Sequence, residues 1–143
     1  MSELELLEKA IAIAVDAHRG QKDRYGAAYI LHPIRVMNRV DTLPEKTVAI
    51  LHDVVEDTDW TFEDLKQEGF PEKIVEAVRC LTKKEGEDYD DFVSRSAKNA
   101  IARCVKLGDL EDNMDVRRMP EVSQESLSRL NKYLKAWRKL KSQ

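Results

Sequence analysis

The sequence predicts an all-α protein, and three observations support this prediction. Apolar residues recur at helical spacing, as in the series Leu4, Leu7, Ile11 and Val15. Only five glycines and four prolines interrupt the chain of 143 residues. No segment shows the strict alternation of apolar and polar residues that indicates a half-buried strand. We therefore expect helices joined by short connections.

Helix start and stop signals give the boundaries of these elements. Ser2 and Glu5 form a capping box, Pro33 and Pro44 suit the first turns of helices, and Thr61 is a typical N-cap. The expected helices cover residues 2–18, 33–40, 44–58, a short segment after 61, 71–81, 89–97, 98–113 and 123–141. Residues 19–31 are expected to form an irregular loop, and residues 82–90 a mobile surface loop.

The last helix shows a simple division between an apolar and a charged face. Its apolar stripe, which we expect to pack in the core, contains Leu127, Leu130, Leu134 and Trp137. Its basic residues are expected to form a solvated face, namely Arg129, Lys132, Lys135 and Arg138. Lys83, Lys84, Arg103 and Lys106 are also expected to be ordinary surface residues. The alternative is that they reach phosphates, which for Lys83 and Lys84 requires their loop to fold over the site.

The composition limits the classes of protein to consider. Hydrophobic residues make up 42% and charged residues 36%, which is typical of one globular domain, here residues 1–143. The net charge of −3 argues against a nucleic-acid partner, and no apolar run reaches transmembrane length. Cys80 and Cys104 lie in apolar helical segments and are expected to be reduced core thiols. We expect a cytoplasmic protein whose oligomeric state the sequence does not reveal.

The most informative segment is residues 51–58, LHDVVEDT. On a continuous helix, His52, Asp53, Glu56 and Asp57 fall within an arc of about 140°, and the apolar residues point the other way. Three carboxylates in so small an area are unfavourable unless a positive charge lies among them. A divalent metal ion would supply that charge, which suggests a metal-dependent hydrolase.

Other residues offer further metal ligands. His32 precedes Pro33, and Asp109 follows an apolar run with Asn113 one helical turn later. Two imidazoles and two carboxylates suit manganese, iron or zinc. Each residue has a simpler alternative: His32 as a loop histidine bonded to backbone, and Asp109 as a helix cap or half of an ion pair. We expect His18, at the end of an apolar stripe, to be a satisfied core histidine.

Taken together, these segments resemble the HD-domain phosphohydrolases, and specifically the hydrolase domain of RelA/SpoT proteins and their small stand-alone relatives. The matching segments occur in the family's order, over about residues 10–118: AHRGQ at 17–21 with YILHP at 29–33, LHDVVEDT at 51–58, and VKLGD at 105–109 followed by Asn113 and Met114. The resemblance implies an HD-domain helical bundle. It also implies removal of pyrophosphate from the 3′ position of guanosine tetra- or pentaphosphate.

The resemblance also implies roles for individual residues. One divalent metal ion, most often Mn²⁺ in this branch, would be bound by His32, His52, Asp53 and Asp109. Glu56 and Asp57 would be the catalytic acid/base pair that orients and deprotonates water. The substrate would be a small nucleotide, and the implied substrate-binding residues are Lys22, Arg24 and Asn113.

Two departures from the family pattern leave alternatives open. The loop that usually carries Arg-Lys beside the guanine base contains Asp23 before Arg24, and residues 110–112 are Leu-Glu-Asp where Arg-Leu-His is usual. An acidic residue disfavours phosphate but can accept hydrogen bonds from a sugar or a base. One alternative is therefore a phosphatase of another phosphorylated nucleotide or cofactor. A second is a non-catalytic nucleotide-binding regulatory module that keeps the metal, and a third is a purely structural, metal-free helix face.

Overall fold

The computed structural model describes residues 1–142, and its regular elements in that range are all helices, so the all-α prediction is confirmed. In chain order they are α1 (Glu3–Ala17), α2 (Leu31–Met37), α3 (Leu43–Leu51), α4 (Val54–Asp57), α5 (Phe62–Gln67), α6 (Glu72–Cys80), α7 (Tyr89–Ala97), α8 (Ala100–Asn113) and α9 (Gln124–Lys141). A short 3₁₀ helix, Val116–Arg118, lies between α8 and α9. Within the described residues, no helix combines the length and apolar character needed to cross a membrane.

The helix starts follow local capping chemistry. Ser2 Oγ accepts a hydrogen bond from the Glu5 N–H at 3.1 Å, and Glu5 in turn accepts one from the Ser2 N–H at 3.3 Å, as predicted. Thr61 caps α5 in the same way, and Thr42, which the sequence reading did not single out, caps α3. The second helix begins at Leu31, two residues before Pro33, and ends at Met37 rather than near residue 40.

Helix α3 lies at the centre of the core. It packs against α1, α2, α6 and α8, and its residues 47–51 are all buried. A helix buried on all sides holds its C-terminal end rigidly. The first side chains of the LHDVVEDT segment are therefore fixed at a defined point inside the molecule.

The prediction of one continuous helix over residues 44–58 is wrong, because the helix breaks at His52 and Asp53. The imidazole Nδ1 of His52 bonds the carbonyl oxygen of Ala49 at 2.6 Å. In a continuous helix that carbonyl would accept from the Asp53 N–H. Here the Ala49 carbonyl accepts from the His52 side chain and, at 3.4 Å, from the His52 N–H, and α4 starts afresh at Val54.

The predicted apolar stripe of α9 is also wrong in part. Leu127 and Leu134 are 42% and 40% exposed, whereas α9 buries Ser126, Ala136 and Leu140. The indole N–H of Trp137 donates to Glu111 on α8 at 3.0 Å, which fixes the rotation of α9 against that helix. This rotation turns the Leu127–Leu134 edge outward and, as described below, brings two predicted surface cations to a cavity. Cys80 and Cys104 are free thiols, as predicted, although both are only partly buried.

Candidate metal centre and nucleotide pocket

Four side chains from three parts of the fold converge on one point. His32 is on α2, His52 and Asp53 form the break between α3 and α4, and Asp109 is near the end of α8. The Nε2 atom of His32 lies 3.0 Å from Asp109 Oδ1 and 3.7 Å from Asp53 Oδ2. The Nε2 atom of His52 lies 3.1 Å from Asp53 Oδ2 and 3.5 Å from Asp109 Oδ1. The structure therefore brings together all four residues proposed from the sequence as metal ligands.

The hydrogen bonds of the two imidazoles favour metal binding. His32 Nδ1 lies 2.7 Å from Asp112 Oδ2, and His52 Nδ1 bonds the Ala49 carbonyl, so each Nδ1–H has an acceptor. In the neutral ring, Nε2 then presents a lone pair to the cluster, which is the usual arrangement of a ligating histidine. His52 Nε2 lies 3.1 Å from Asp53 Oδ2, yet within the described residues it has no well-aligned hydrogen bond. A cation among these four atoms would satisfy it, so the donor set fits a divalent metal ion.

The charges of the cluster depend strongly on one another. Burial opposes the charged form of His52, but Asp53 and Asp109 outweigh burial and raise its pKa well above the usual value. Burial likewise opposes ionisation of Asp109, but Lys106 and the two imidazoles hold its pKa well below the usual value. The carboxylates are therefore ionised, and the raised pKa means that His52 keeps a proton that a metal ion would have to displace.

Lys106 was expected at the surface, and the structure corrects this. Its side chain is buried, and Nζ lies 3.1 Å from Asp109 Oδ2 and 4.8 Å from the centre of the Phe92 ring. The ion pair occupies one oxygen of Asp109 and leaves Oδ1 facing the two imidazoles. The i, i+3 spacing of Lys106 and Asp109 on a helix was the signal that could have revealed the pair.

Asp112 is a second residue that the sequence analysis missed. It is fully buried, and besides His32 it accepts hydrogen bonds from Arg35 Nε at 2.7 Å and Arg35 Nη2 at 3.2 Å. Burial opposes its ionisation, but His32 and Arg35 outweigh burial and lower its pKa to about 2. This ionised carboxylate fixes the orientation of the His32 ring. Asp112, which stands where the family usually has His, is therefore in contact with the proposed metal ligand His32.

Tyr29 also belongs to the site without having been predicted. Its hydroxyl donates a short hydrogen bond to Asp53 Oδ2. Burial and the nearby Asp53 raise the pKa of Tyr29 far above the usual value, so the phenol stays protonated and remains a donor. Its position three residues before His32, at the entry of α2, was the available signal.

His18 is in the core, as expected, but only half satisfied. Its side chain is buried, and Nδ1 lies 2.7 Å from Gln21 Oε1. Its other ring nitrogen, Nε2, has no hydrogen-bond partner among the described residues. The ring lies 5.0 Å from that of Tyr29, so His18 supports the phenol rather than joining the cluster.

Glu56 and Asp57 lie on α4 at the edge of the same cavity. Glu56 Oε1 accepts a hydrogen bond from the backbone N–H of Lys83 at 2.8 Å. Partial burial raises the pKa of Glu56 and of Asp57, and the charge of Asp53 adds to the effect on each. A carboxyl group with a raised pKa exchanges protons more readily near neutral pH, which is what a catalytic acid or base requires.

A cavity of about 520 Å³ opens over the four convergent side chains, and a volume of this order suits a small nucleotide. The lining contains the acidic cluster with Glu56 and Asp57. It also contains seven cationic side chains, namely Lys22, Arg24, Lys83, Lys106, Arg118, Arg129 and Lys132. Lys83, Arg129 and Lys132 were predicted to be ordinary surface residues, so their presence here is a correction that follows from the loop after α6 and the rotation of α9.

The three predicted substrate-binding residues all line this cavity, with different surroundings. Lys22 and Arg24 are exposed at its mouth. Asn113 Nδ2 donates to Asp109 Oδ1 at 3.1 Å, so this amide also supports the metal cluster. Asp23, expected to meet a sugar or a base, accepts from the N–H groups of Tyr25 and Ala27 through Oδ1, at 2.9 and 3.0 Å.

The other oxygen of Asp23 faces a cation. Its Oδ2 lies 3.6 Å from Nη1 of Arg118, whose Nη2 also donates to the backbone oxygen of Asp112 at 2.7 Å. Arg118 thus links the 22–28 loop to the carboxylate that orients His32. The negative charge of Asp23 is balanced within the protein, and its effect on a bound phosphate is correspondingly reduced.

Known proteins with similar sequences are long alarmone enzymes. A relative from Aquifex aeolicus, named guanosine-3′,5′-bis(diphosphate) 3′-pyrophosphohydrolase, is 32% identical over 122 residues, which are 77% of this chain and 17% of the relative. The bifunctional (p)ppGpp synthase/hydrolase SpoT of Escherichia coli is 34% identical over 101 residues, 68% of this chain and 14% of that protein. The chain thus spans less than a fifth of either relative. No family model matches it.

The fold leads to the same group of proteins. A solved structure of a metazoan SpoT ortholog, described as hydrolysing ppGpp, superposes with a TM-score of 0.77 and 26% identity. The match covers 94% of this chain and 84% of the other. The chain is therefore a homologue of the RelA/SpoT-type hydrolase domain and shares its all-α, HD-type fold.

Proposed function

We propose that this chain is a metal-dependent phosphohydrolase that acts on a nucleotide. The leading reaction is removal of pyrophosphate from the 3′ position of guanosine 3′,5′-bis(diphosphate), by analogy with the named activities of its relatives. The observation that carries the proposal is the convergence of His32, His52 and Asp109, with Asp53 beside them, in the lining of a nucleotide-sized cavity that also contains several cations. We further propose that residues 1–143 act as one domain and that the protein is cytoplasmic.

His32, His52, Asp53 and Asp109 would hold one divalent metal ion, which we propose to be Mn²⁺. When bound, the ion would lower the pKa of a water molecule and polarise a phosphoryl oxygen. Lys106 supports this arrangement by occupying the second oxygen of Asp109. Asp112 supports it by keeping the Nδ1 proton on His32, so that Nε2 remains a ligand atom.

Glu56 and Asp57 are the proposed acid/base pair. Their raised pKa values place proton uptake and release closer to neutral pH, and both carboxyl groups line the cavity. The hydrogen bond from Lys83 occupies one oxygen of Glu56 and leaves the other available to water. We assign the larger share of proton transfer to Glu56, because a backbone N–H holds its carboxylate in place.

Lys22, Arg24 and Asn113 are the proposed substrate-binding residues. Arg24 and Lys22 can bind phosphate or lie against a base, and Asn113 can hold water or substrate beside Asp109. The additional cations Lys83 and Lys132 support a substrate with several negative charges. The balanced charge of Asp23 weakens the sequence argument for a different substrate, because this carboxylate faces Arg118 and backbone N–H groups.

The experiment is an assay of phosphate and pyrophosphate release from a panel of nucleotides with added Mn²⁺. The panel contains guanosine 3′,5′-bis(diphosphate), its adenosine analogue, ordinary nucleoside phosphates and phosphorylated dinucleotide cofactors, and Asp53→Ala is the blank. Pyrophosphate release from the guanosine compound supports the proposal. Cleavage of another compound instead would assign a different substrate to the same site. If the metal-loaded protein cleaves none of the compounds, the proposal of a hydrolase is contradicted.

A further inference from the structure

Residues 82–88, predicted to be a mobile loop, are held by an extensive set of hydrogen bonds from one side chain of α7. Arg95 donates to the carbonyl oxygens of Arg79 and Thr82 at 2.9 and 2.8 Å, on either side of the end of α6. It also forms a two-bond pair with Glu87, from Nε to Oε2 at 2.9 Å and from Nη2 to Oε1 at 2.8 Å. The Arg95–Glu87 pair therefore ties both ends of the loop to α7.

The loop is further closed by a turn within it. Glu87 Oε1 accepts from the Lys84 N–H at 3.0 Å, and the Glu87 N–H donates to the Lys84 carbonyl at 3.1 Å. Gly86 has a φ of +76°, a backbone conformation that favours glycine. Arg95 holds the Thr82 carbonyl and Glu87 holds the Lys84 backbone, so the residue between them, Lys83, is fixed on both sides.

Lys83 is the link between this loop and the candidate active site. Its N–H makes the one hydrogen bond that the described residues give to the side chain of Glu56. Glu56 is otherwise only partly covered and lies on a helix of only four residues. Without that hydrogen bond, the carboxylate would be free to sample several rotamers and would leave the orientation that proton transfer needs.

We propose that the Arg95–Glu87 pair positions Glu56 for catalysis by fixing the Lys83 N–H against its carboxylate. Arg95 is a positioning residue and acts only through the loop. The inference rests on the proposed function, because Glu56 must transfer a proton for its orientation to affect turnover. It extends that function to α7, an element that provides none of the residues predicted from the motifs.

The test is a double-mutant comparison of pyrophosphate release from guanosine 3′,5′-bis(diphosphate) with Mn²⁺. Arg95→Met is expected to lower kcat by roughly tenfold to a hundredfold, with KM and bound metal changed by less than about twofold. In a protein that already carries Glu56→Gln, Arg95→Met is expected to cause no further decrease in kcat. An equal loss in both backgrounds would mean a general structural effect and would overturn the proposal.

Two further variants complete the comparison. Glu87→Gln removes the negative charge and one of the two acceptor oxygens while leaving Arg95 in place, so it repeats the test if Arg95→Met fails to fold. Glu76→Gln is the matched control, because Glu76 makes a similar pair with Arg79 on α6, at 3.2 Å, outside the loop. The control is expected to keep wild-type kcat, and a loss as large as that of Glu87→Gln would count against a specific role for the pair.

A measurement without substrate separates this inference from the proposed function. Hydrogen exchange of the Lys83 amide, followed by NMR, is expected to speed up in Arg95→Met, in Glu87→Gln and in Glu56→Ala, but not in Glu76→Gln. Unchanged exchange in the first two variants would overturn the positioning role even if the protein is active. Faster exchange in a protein that cleaves no nucleotide would keep the positioning of Glu56 and reject the proposed reaction.

Discussion

At the scale of single residues, the hydrogen bond between His32 and Asp112 orients one of the proposed metal ligands. Asp112 lies beneath the imidazole, is held by Arg35, and leaves Nε2 facing the two aspartates. Carboxylates in this position raise the basicity of the ligating ring and fix its tautomer. This arrangement explains how a departure from the family pattern can be compatible with a metal site.

Asp112→Asn therefore tests the support of the cluster separately from its ligands. We expect Mn²⁺ affinity to fall by roughly tenfold to a hundredfold, because the amide holds the imidazole less firmly. Isothermal titration calorimetry measures the change. Asp115→Asn is the control, since Asp115 pairs with exposed Arg117 outside the cluster. Equal affinities for wild type and Asp112→Asn would show that Asp112 does not support the metal.

The ligands and the proposed acid/base residue are expected to separate in their effects. His52→Ala and Asp53→Ala should lose bound metal and turnover together, because each removes a donor atom from the cluster. Glu56→Ala should retain metal while kcat falls by about 100-fold or more, within the usual contribution of a positioned acid or base. Metal analysis of each purified variant beside its turnover provides the comparison. Near-normal turnover of Glu56→Ala would remove Glu56 from the mechanism.

At the scale of elements, helix α9 matters because its rotation decides which residues reach the cavity. Leu140, which the predicted apolar stripe did not include, is fully buried, whereas Leu134, which it did include, is 40% exposed. Tyr133 and Trp137 pack beside Leu140, and this orientation directs Arg129 and Lys132 toward the pocket. Packing against α7 and α8 therefore determines which face of α9 is buried, and this face differs from the one that the apolar periodicity predicted.

Alanine substitutions test this orientation of α9. Leu140→Ala is expected to lower the free energy of unfolding by about 2–5 kcal/mol, because it leaves a cavity in the packed interface. Leu134→Ala, the matched control, is expected to change it by no more than about 0.5 kcal/mol. Urea denaturation gives both values. A larger loss for Leu134→Ala than for Leu140→Ala would contradict the observed rotation.

The Arg95–Glu87 pair also predicts how stability changes with pH. Arg95 lowers the pKa of Glu87 from the usual 4.5 to about 2 in the folded protein. A lowered pKa stabilises the folded state above the unfolded value of 4.5, and this contribution disappears as the pH falls from about 4.5 toward 2. Glu87→Gln should therefore be less stable than wild type at about pH 6, with the difference shrinking at about pH 3, in urea titrations. A difference that is constant with pH would contradict the prediction.

For the whole molecule, the sequence predicts the framework better than the surroundings of the site. Capping boxes and apolar periodicity are local signals, so they predicted most helices, and the motifs indicated the four convergent side chains. The break at His52 depends on a bond between its side chain and a backbone carbonyl, which periodicity does not report. Lys106 and Lys132 were placed at the surface because only tertiary packing brings their charges to a cavity.

The molecule as a whole combines a rigid core with a site built at one end of its central helix. His52 and Asp53 directly follow helix α3, α2 and α8 contribute His32 and Asp109, and α9 and the 82–88 loop contribute cations to the cavity. These parts are distant in sequence, so the site exists only in the folded chain. A metal ion that binds them together should also stabilise the fold.

The most direct test of the account is pyrophosphate release from guanosine 3′,5′-bis(diphosphate) by chelated protein, measured before and after Mn²⁺ is returned. We predict that chelation abolishes release, that Mn²⁺ restores it, and that Asp53→Ala stays inactive at the same Mn²⁺ concentration. Release that survives chelation, or an Asp53→Ala variant as active as wild type, would contradict catalysis at a centre formed by His32, His52, Asp53 and Asp109.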